Sequence, residues 1–136
     1  MTQVSEPTLK VRLLITSDSL PPDEISGHVG VCSTLGWLKG QRVHPKASKT
    51  YDQNGWVIVA QDGGAAASAE KLTDEILHTV DISKMLKFKS NHPDVAFELS
   101  IIVHVAASAP AVSLSAAQVK VLASLDADVD VDIYPG

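Results

Sequence analysis

The chain has 136 residues and a net charge of −5, from 16 acidic and 11 basic side chains. That length suits a single domain over residues 1–136, and the acidic balance argues against a nucleic-acid binder, which needs a basic stripe for the phosphate backbone. A lone cysteine, Cys32, excludes an intrachain disulfide and fits a reducing compartment, so a cytoplasmic location is expected.

The polar start, Met1 to Thr8, carries Glu6 and lacks the basic and apolar regions of a signal peptide. Leu9 to Ser17 alternates as a strand, with Val11, Leu13 and Ile15 on one face and Lys10, Arg12, Leu14 and Thr16 on the other. Pro21-Pro22-Asp23-Glu24 opens a short helix, because a proline in the first turn gives up only an N–H that has no partner there. Leu20 precedes it and is placed to staple onto Ile25. Gly30 closes the helix.

From Cys32 to Gln53 the pattern is that of a long loop, punctuated by Gly36, Gly40 and Pro45. Lys39, Arg42, His44 and Lys46 lie there with no acid between Gly36 and Ser48. Loops of this length in a small domain are more often functional or mobile than idle. Trp56 to Ala60 is the second strand, ended by Gly63-Gly64. Two helical pieces follow, Ser68–Thr79 and Ile82–Ser90, the second stopped by Asn91-His92-Pro93-Asp94.

Val95 to Ala107 alternates again. Phe97, Leu99, Ile101, Val103 and Val105 face one way, and Glu98, Ser100, Ile102 and His104 the other. The run Leu99–Ala107 is too short to span a bilayer, so no membrane role is expected. Ser115-Ala116-Ala117-Gln118 is a capping box behind Leu114, placed to staple onto Val119, and its helix runs to about Ser124. Ala127 to Tyr134 is the last strand, with Asp126, Asp128, Asp130 and Asp132 at period two.

The two strand–leucine–cap–helix stretches suggest an internal duplication. Two βαβ units with a helical insertion predict an α+β, ferredoxin-like two-layer sandwich on a four-stranded, mainly antiparallel sheet. Right-handed crossovers are expected in both halves. The inserted helices are expected to cover the polar face of the sheet. Failing that, its Leu14 and Ile102 suit a homodimer contact.

Ile15-Thr16-Ser17-Asp18-Ser19-Leu20-Pro21-Pro22-Asp23-Glu24-Ile25, Lys39-Gly40, Trp56, Ser113-Leu114-Ser115 and Asp130-Val131-Asp132-Ile133-Tyr134 together resemble the bacterial domain-of-unknown-function family numbered 4279. The resemblance spans nearly the whole chain. It implies a bacterial single-domain protein and carries no reaction. Cys32-Ser33-Thr34-Leu35-Gly36-Trp37 departs from the family's pattern, so a role for Trp37 is particular to this chain.

Chemistry-bearing patterns are sparse. Ser100 and His104 share a face but lie about 13 Å apart at strand rise, too far for a nucleophile and its base. Neither a nucleophile elbow nor a phosphate loop is present, no zinc-ligand set of the right spacing follows His28 and Cys32, and no cofactor is implied. Asp128, Asp130 and Asp132 are a weak metal alternative, since a straight strand does not converge its carboxylates; the same charges suit a protected sheet edge or a basic partner. The loop is the better candidate. Trp37, Lys39, Arg42 and His44, with Trp56 beside them, mix aromatic and guanidinium groups as binding hot spots do.

These residues predict a non-enzymatic binding or interaction module, regulatory or immunity-like, for an unidentified protein partner or a small anionic ligand. The competing expectation is a small enzyme or an anion- or metal-binding protein that combines Arg42 and His44 with Asp130 and Asp132.

Overall fold

The computed structural model describes residues 6–135. Its first strand, β1 (Thr8–Ser17), sets the architecture. Leu9, Val11, Leu13 and Ile15 are all buried, while Thr8 and Lys10 are exposed and Arg12, Leu14 and Thr16 half-buried. Each fully buried aliphatic side chain is worth roughly 1.5–3 kcal/mol, so a slip of one residue would turn this whole stripe to the wrong face. The expected alternation is met residue by residue.

Helix α1 (Pro22–Val29) and strands β2 (Leu35–Trp37) and β3 (Asn54–Gly63) come next. The Pro21 carbonyl accepts the N–H groups of Glu24 and Ile25, both at 3.1 Å, and Asp23 and Glu24 sit at the positive end of the helix dipole. Gly30 ends α1 at φ 77°, a left-handed residue that glycine adopts without steric cost. Helices α2 (Ala69–Thr79) and α3 (Ile82–Asn91) are each capped by a side chain, Ser68 accepting from the Lys71 N–H and Asp81 from the Lys84 N–H. Strand β4 (Ala96–His104), helix α4 (Ala116–Ser124) and strand β5 (Asp128–Tyr134) complete the chain. The Ser115–Gln118 capping box forms as expected.

The sheet has five strands in the order β2-β3-β1-β4-β5. This corrects the expected count of four strands. β1 is antiparallel to both β3 and β4, β2 is antiparallel to β3, and only β4 and β5 are parallel. The second strand–helix–strand unit, β4–α4–β5, forms as expected, but the first differs. The chain leaves α1 for the far side of β3 and lays down β2 in the direction of β1, so β1–α1–β2 is a unit split by β3. Likewise β3 and β4 share a direction on either side of β1, with α2 and α3 between them in sequence.

The duplication does not survive these connections. β1 returns to a strand two places away and β4 to its immediate neighbour. The two helix starts also pack differently, with Ile25 fully buried and Val119 52% exposed.

All four helices contribute to one core, against the face bearing Leu13, Trp56, Ile58, Phe97, Leu99 and Ile101. The expected cover of the polar face by α2 and α3 is therefore not found. Those helices carry apolar stripes of their own, Leu72 and Ile76 on α2 and Met85 and Phe88 on α3, and both stripes join the common core. Gln118 ties α4 to α2 from a buried position, its amide donating to Glu70 O and Asp74 Oδ1, both at 2.7 Å. Among the described residues no helix is long and apolar enough to cross a membrane.

Candidate functional site

The stretch expected as a long loop is an ordered arm on the β2 edge of the sheet. Leu38 to Gln41 forms a turn closed by Gln41 N–H to Leu38 O at 3.0 Å, with Gly40 third in the turn at φ 86°. A type II turn demands that positive φ at its third position, hence glycine there. His44 to Ala47 forms a second turn, closed by Ala47 N–H to His44 O at 3.0 Å, with Pro45 where a proline presets the backbone. Between the turns the chain pairs with itself. Arg42 bridges Thr50 antiparallel, Val43 N–H donates to Lys49 O, and Tyr51 N–H donates to Gln41 O.

Trp37 pins this arm to the sheet. Its indole stacks on Tyr51 with ring centroids 4.2 Å apart and planes 12° off parallel, and its Nε1 donates to Gln53 O at 3.1 Å. It lies directly over Gly55, its register partner on β3, where any side chain would collide with the indole. Asn54 Oδ1 accepts the Lys39 N–H at 2.8 Å and fixes the arm's first residues. The side chains of Lys39, Arg42, His44, Lys46 and Lys49 are exposed.

Four of the five candidate residues are thus brought together, with Trp37 as support and Lys39, Arg42 and His44 presented to solvent. Trp56 is not among them. It is fully buried on the helix face, its Nε1 donating to Ser26 Oγ at 3.0 Å, and it belongs to the core. Sequence reasoning missed three contributors, Leu35, Leu38 and Tyr51. Leu35 and Leu38 stand 54% and 52% exposed beside the cations. Tyr51 carried one usable signal, its place after Lys49-Thr50 across a proline turn from Gln41-Arg42-Val43.

The charge of the arm opposes that of the chain. Residues 38–53 hold Lys39, Arg42, Lys46 and Lys49 against Asp52 alone. At the other edge the balance inverts, for beyond Lys120 the sequence has Asp126, Asp128, Asp130 and Asp132 and no basic residue. Every residue of β5 is exposed. Among the described residues no group of three or more His, Cys, Asp or Glu side chains is placed to hold a metal ion.

Strand order separates the two sets. Four inter-strand spacings of about 4.8 Å place β5 roughly 19 Å from β2, the strand from which the arm bearing Arg42 and His44 departs.

Between the edges lies the face without helices. At one end of it a cleft of about 470 Å3 is lined by Lys10, Gln61, Asp62, Ile102 and His104. Arg12 sits half-buried in the middle with no hydrogen-bond partner at Nε. Ser100, expected there as a polar face residue, donates from Oγ to Glu98 Oε2 at 2.9 Å and is buried.

The family model described as a domain of unknown function, DUF4279, matches residues 7–136. No curated protein and no solved structure matches this chain.

Proposed function

The chain belongs to the DUF4279 family of unknown function, and from that premise, which brings no reaction with it, we propose that it is a non-enzymatic interaction module whose basic arm docks on an acidic, partly apolar surface of a partner protein. The observation that carries this proposal is the pinning of the arm by Trp37. A solvated loop of lysines needs no stacked indole beneath it, no glycine cleared for that indole and no two hydrogen-bonded turns. Here the backbone of residues 38–53 is held by its own ladder, so Lys39, Arg42 and His44 are presented with little ordering left to do on binding. Leu35 and Leu38 supply apolar area next to the charges, the mixture that interface centres and rims combine.

We read the alternating strands β2-β3-β1-β4 as a ferredoxin-like core to which α4 and β5 are appended. On that reading the arm is an elaboration of the core's own edge, and β5 is a separate addition at the other end. The exposed, free thiol of Cys32 supports a cytoplasmic site of action.

The test uses a synthetic peptide of alternating glutamate and leucine as the acidic probe, followed by tryptophan emission. Trp56 is sealed in the core, so a change on titration reports Trp37. Saturable binding that weakens with salt and falls at least about tenfold in Arg42→Ala/Lys46→Ala is expected, since each 1.4 kcal/mol of lost contact is a factor of ten. Equal binding by the double variant would remove the arm from the proposal. The same emission change with inorganic phosphate alone would redirect it to a small anion.

A further inference from the structure

The β5 edge differs from an ordinary protected edge in three respects. It is seven residues long, with no proline inside it and, among the described residues, no covering element. Its aliphatic stripe, on the helix side of the sheet, is wet: Val129, Val131 and Ile133 are 47%, 43% and 64% exposed, although their β4 partners Leu99, Ile101 and Val103 are buried. Its backbone is half unused. Tyr134 O accepts the Val105 N–H at 2.9 Å, so Tyr134 turns its peptide groups toward β4. Peptide groups alternate sides along a strand, which turns those of Asp130 and Asp132 inward as well. The N–H and C=O groups of Val129, Val131 and Ile133 therefore face outward from the sheet.

An outward ladder with an apolar stripe is a template for an added strand. The other face decides which strand. Asp128, Asp130 and Asp132 stand on the side away from the helices, in register with Glu98, Ser100 and Ile102. A second copy is a poor occupant. Pairing two β5 strands antiparallel about Val131 sets Asp130 opposite Asp132 of the other copy, twice. Every other antiparallel self-register that uses most of the strand also sets Asp opposite Asp, and like charges directly opposite destabilise a sheet. A strand that alternates aliphatic residues with lysine or arginine meets both faces correctly, with aliphatics beside Val129, Val131 and Ile133 and cations against the carboxylates.

We infer that β5 is an acceptor edge for a partner strand in which aliphatic residues alternate with lysine or arginine, added by backbone hydrogen bonds to Val129, Val131 and Ile133. This surface is distinct from the basic arm and does not depend on it.

The probe is the labelled peptide Lys-Val-Lys-Val-Lys-Val-Lys, with its glutamate counterpart as control, titrated into the full chain and read by anisotropy and by amide exchange. The lysine peptide is expected to bind, to weaken as salt rises, and to slow exchange at Val129, Val131 and Ile133; the glutamate peptide, which the basic arm can take up, is expected to leave exchange at those three amides unchanged. Val131→Pro deletes one outward N–H and leaves the β4 ladder intact, as proline on an edge strand permits, so binding should fall at least about tenfold while the dichroism spectrum holds. Val129→Pro repeats the test should Val131→Pro misfold. Arg42→Ala/Lys46→Ala should bind the lysine peptide as the unaltered chain does, which separates failure here from failure of the arm. Undiminished binding by the folded proline variants, no protection of the three outward amides, or no binding would overturn the inference. So would dimerisation of the unaltered chain through β5 in sedimentation.

Discussion

The two edges of this sheet solve one problem in opposite ways. Any edge strand presents unpaired peptide groups that invite another chain. At β2 the strand is only three residues long, and the chain folds back over the sheet face as the pinned arm. At β5 the strand is seven residues long, both faces are open, and only charge discourages a copy of itself. A strand this short offers little ladder to any added strand; a charge resists only a strand of like charge. The comparison teaches that the acidic edge is selective where the arm edge is merely short, and that the sign of the charge identifies what is admitted.

The sharpest way to break this comparison uses neighbouring residues in one register. Leu99 and Val129 pair across β4 and β5, yet Leu99 is fully buried and Val129 is not. Leu99→Ala should cost about 2–5 kcal/mol in urea unfolding, as large-to-small core changes do. Val129→Ala should cost about 0.5 kcal/mol or less, as surface changes do. Comparable losses would mean that β5 is covered after all.

Next in size is Gly55→Val. The added branches enter the space of the Trp37 indole, and overpacking of this kind costs about 1–3 kcal/mol. Thermal unfolding should drop by several degrees, and the Trp37 emission should shift to the red as the indole is displaced. An unchanged emission would show that Trp37 does not lie where the arm needs it.

Smaller still is Gly40→Ala, at φ 86°, where an L-residue costs about 1–2 kcal/mol. That strain falls on the arm's first turn alone. Trypsin cleavage after Lys46 and Lys49 should therefore accelerate several-fold while the global unfolding midpoint barely moves. Loss of global stability without faster cleavage would mean that the arm and the core unfold together.

Much of this was written in local pattern. Alternation gave the faces of β1 and β4, the paired turns of proline and glycine marked the helix ends, and the Ser115–Gln118 box formed as spaced. What escaped was set by sequence-distant pairing. Three residues, Leu35 to Trp37, are too few to show alternation, so β2 was hidden and the first strand–helix–strand unit was closed on the wrong strand. Trp37 and Trp56 look alike as aromatic residues beside turns. Only Trp56 keeps period two with the buried Ile58, and only Gly55, a glycine inside a strand, hinted that another group approaches there. The wetness of Val129, Val131 and Ile133 had no local signal, because their alternation matches that of β4 and only the order of strands puts them at the edge.

Amide exchange along β5 in the isolated chain probes the open edge most directly. The peptide groups of Asp130, Asp132 and Tyr134 face β4, and those of Val129, Val131 and Ile133 face solvent. Slow exchange at the first three, alternating with fast exchange at the second three, is the expected result. Uniform protection through residues 128–134 would contradict it, since something would then already occupy the outer edge of β5.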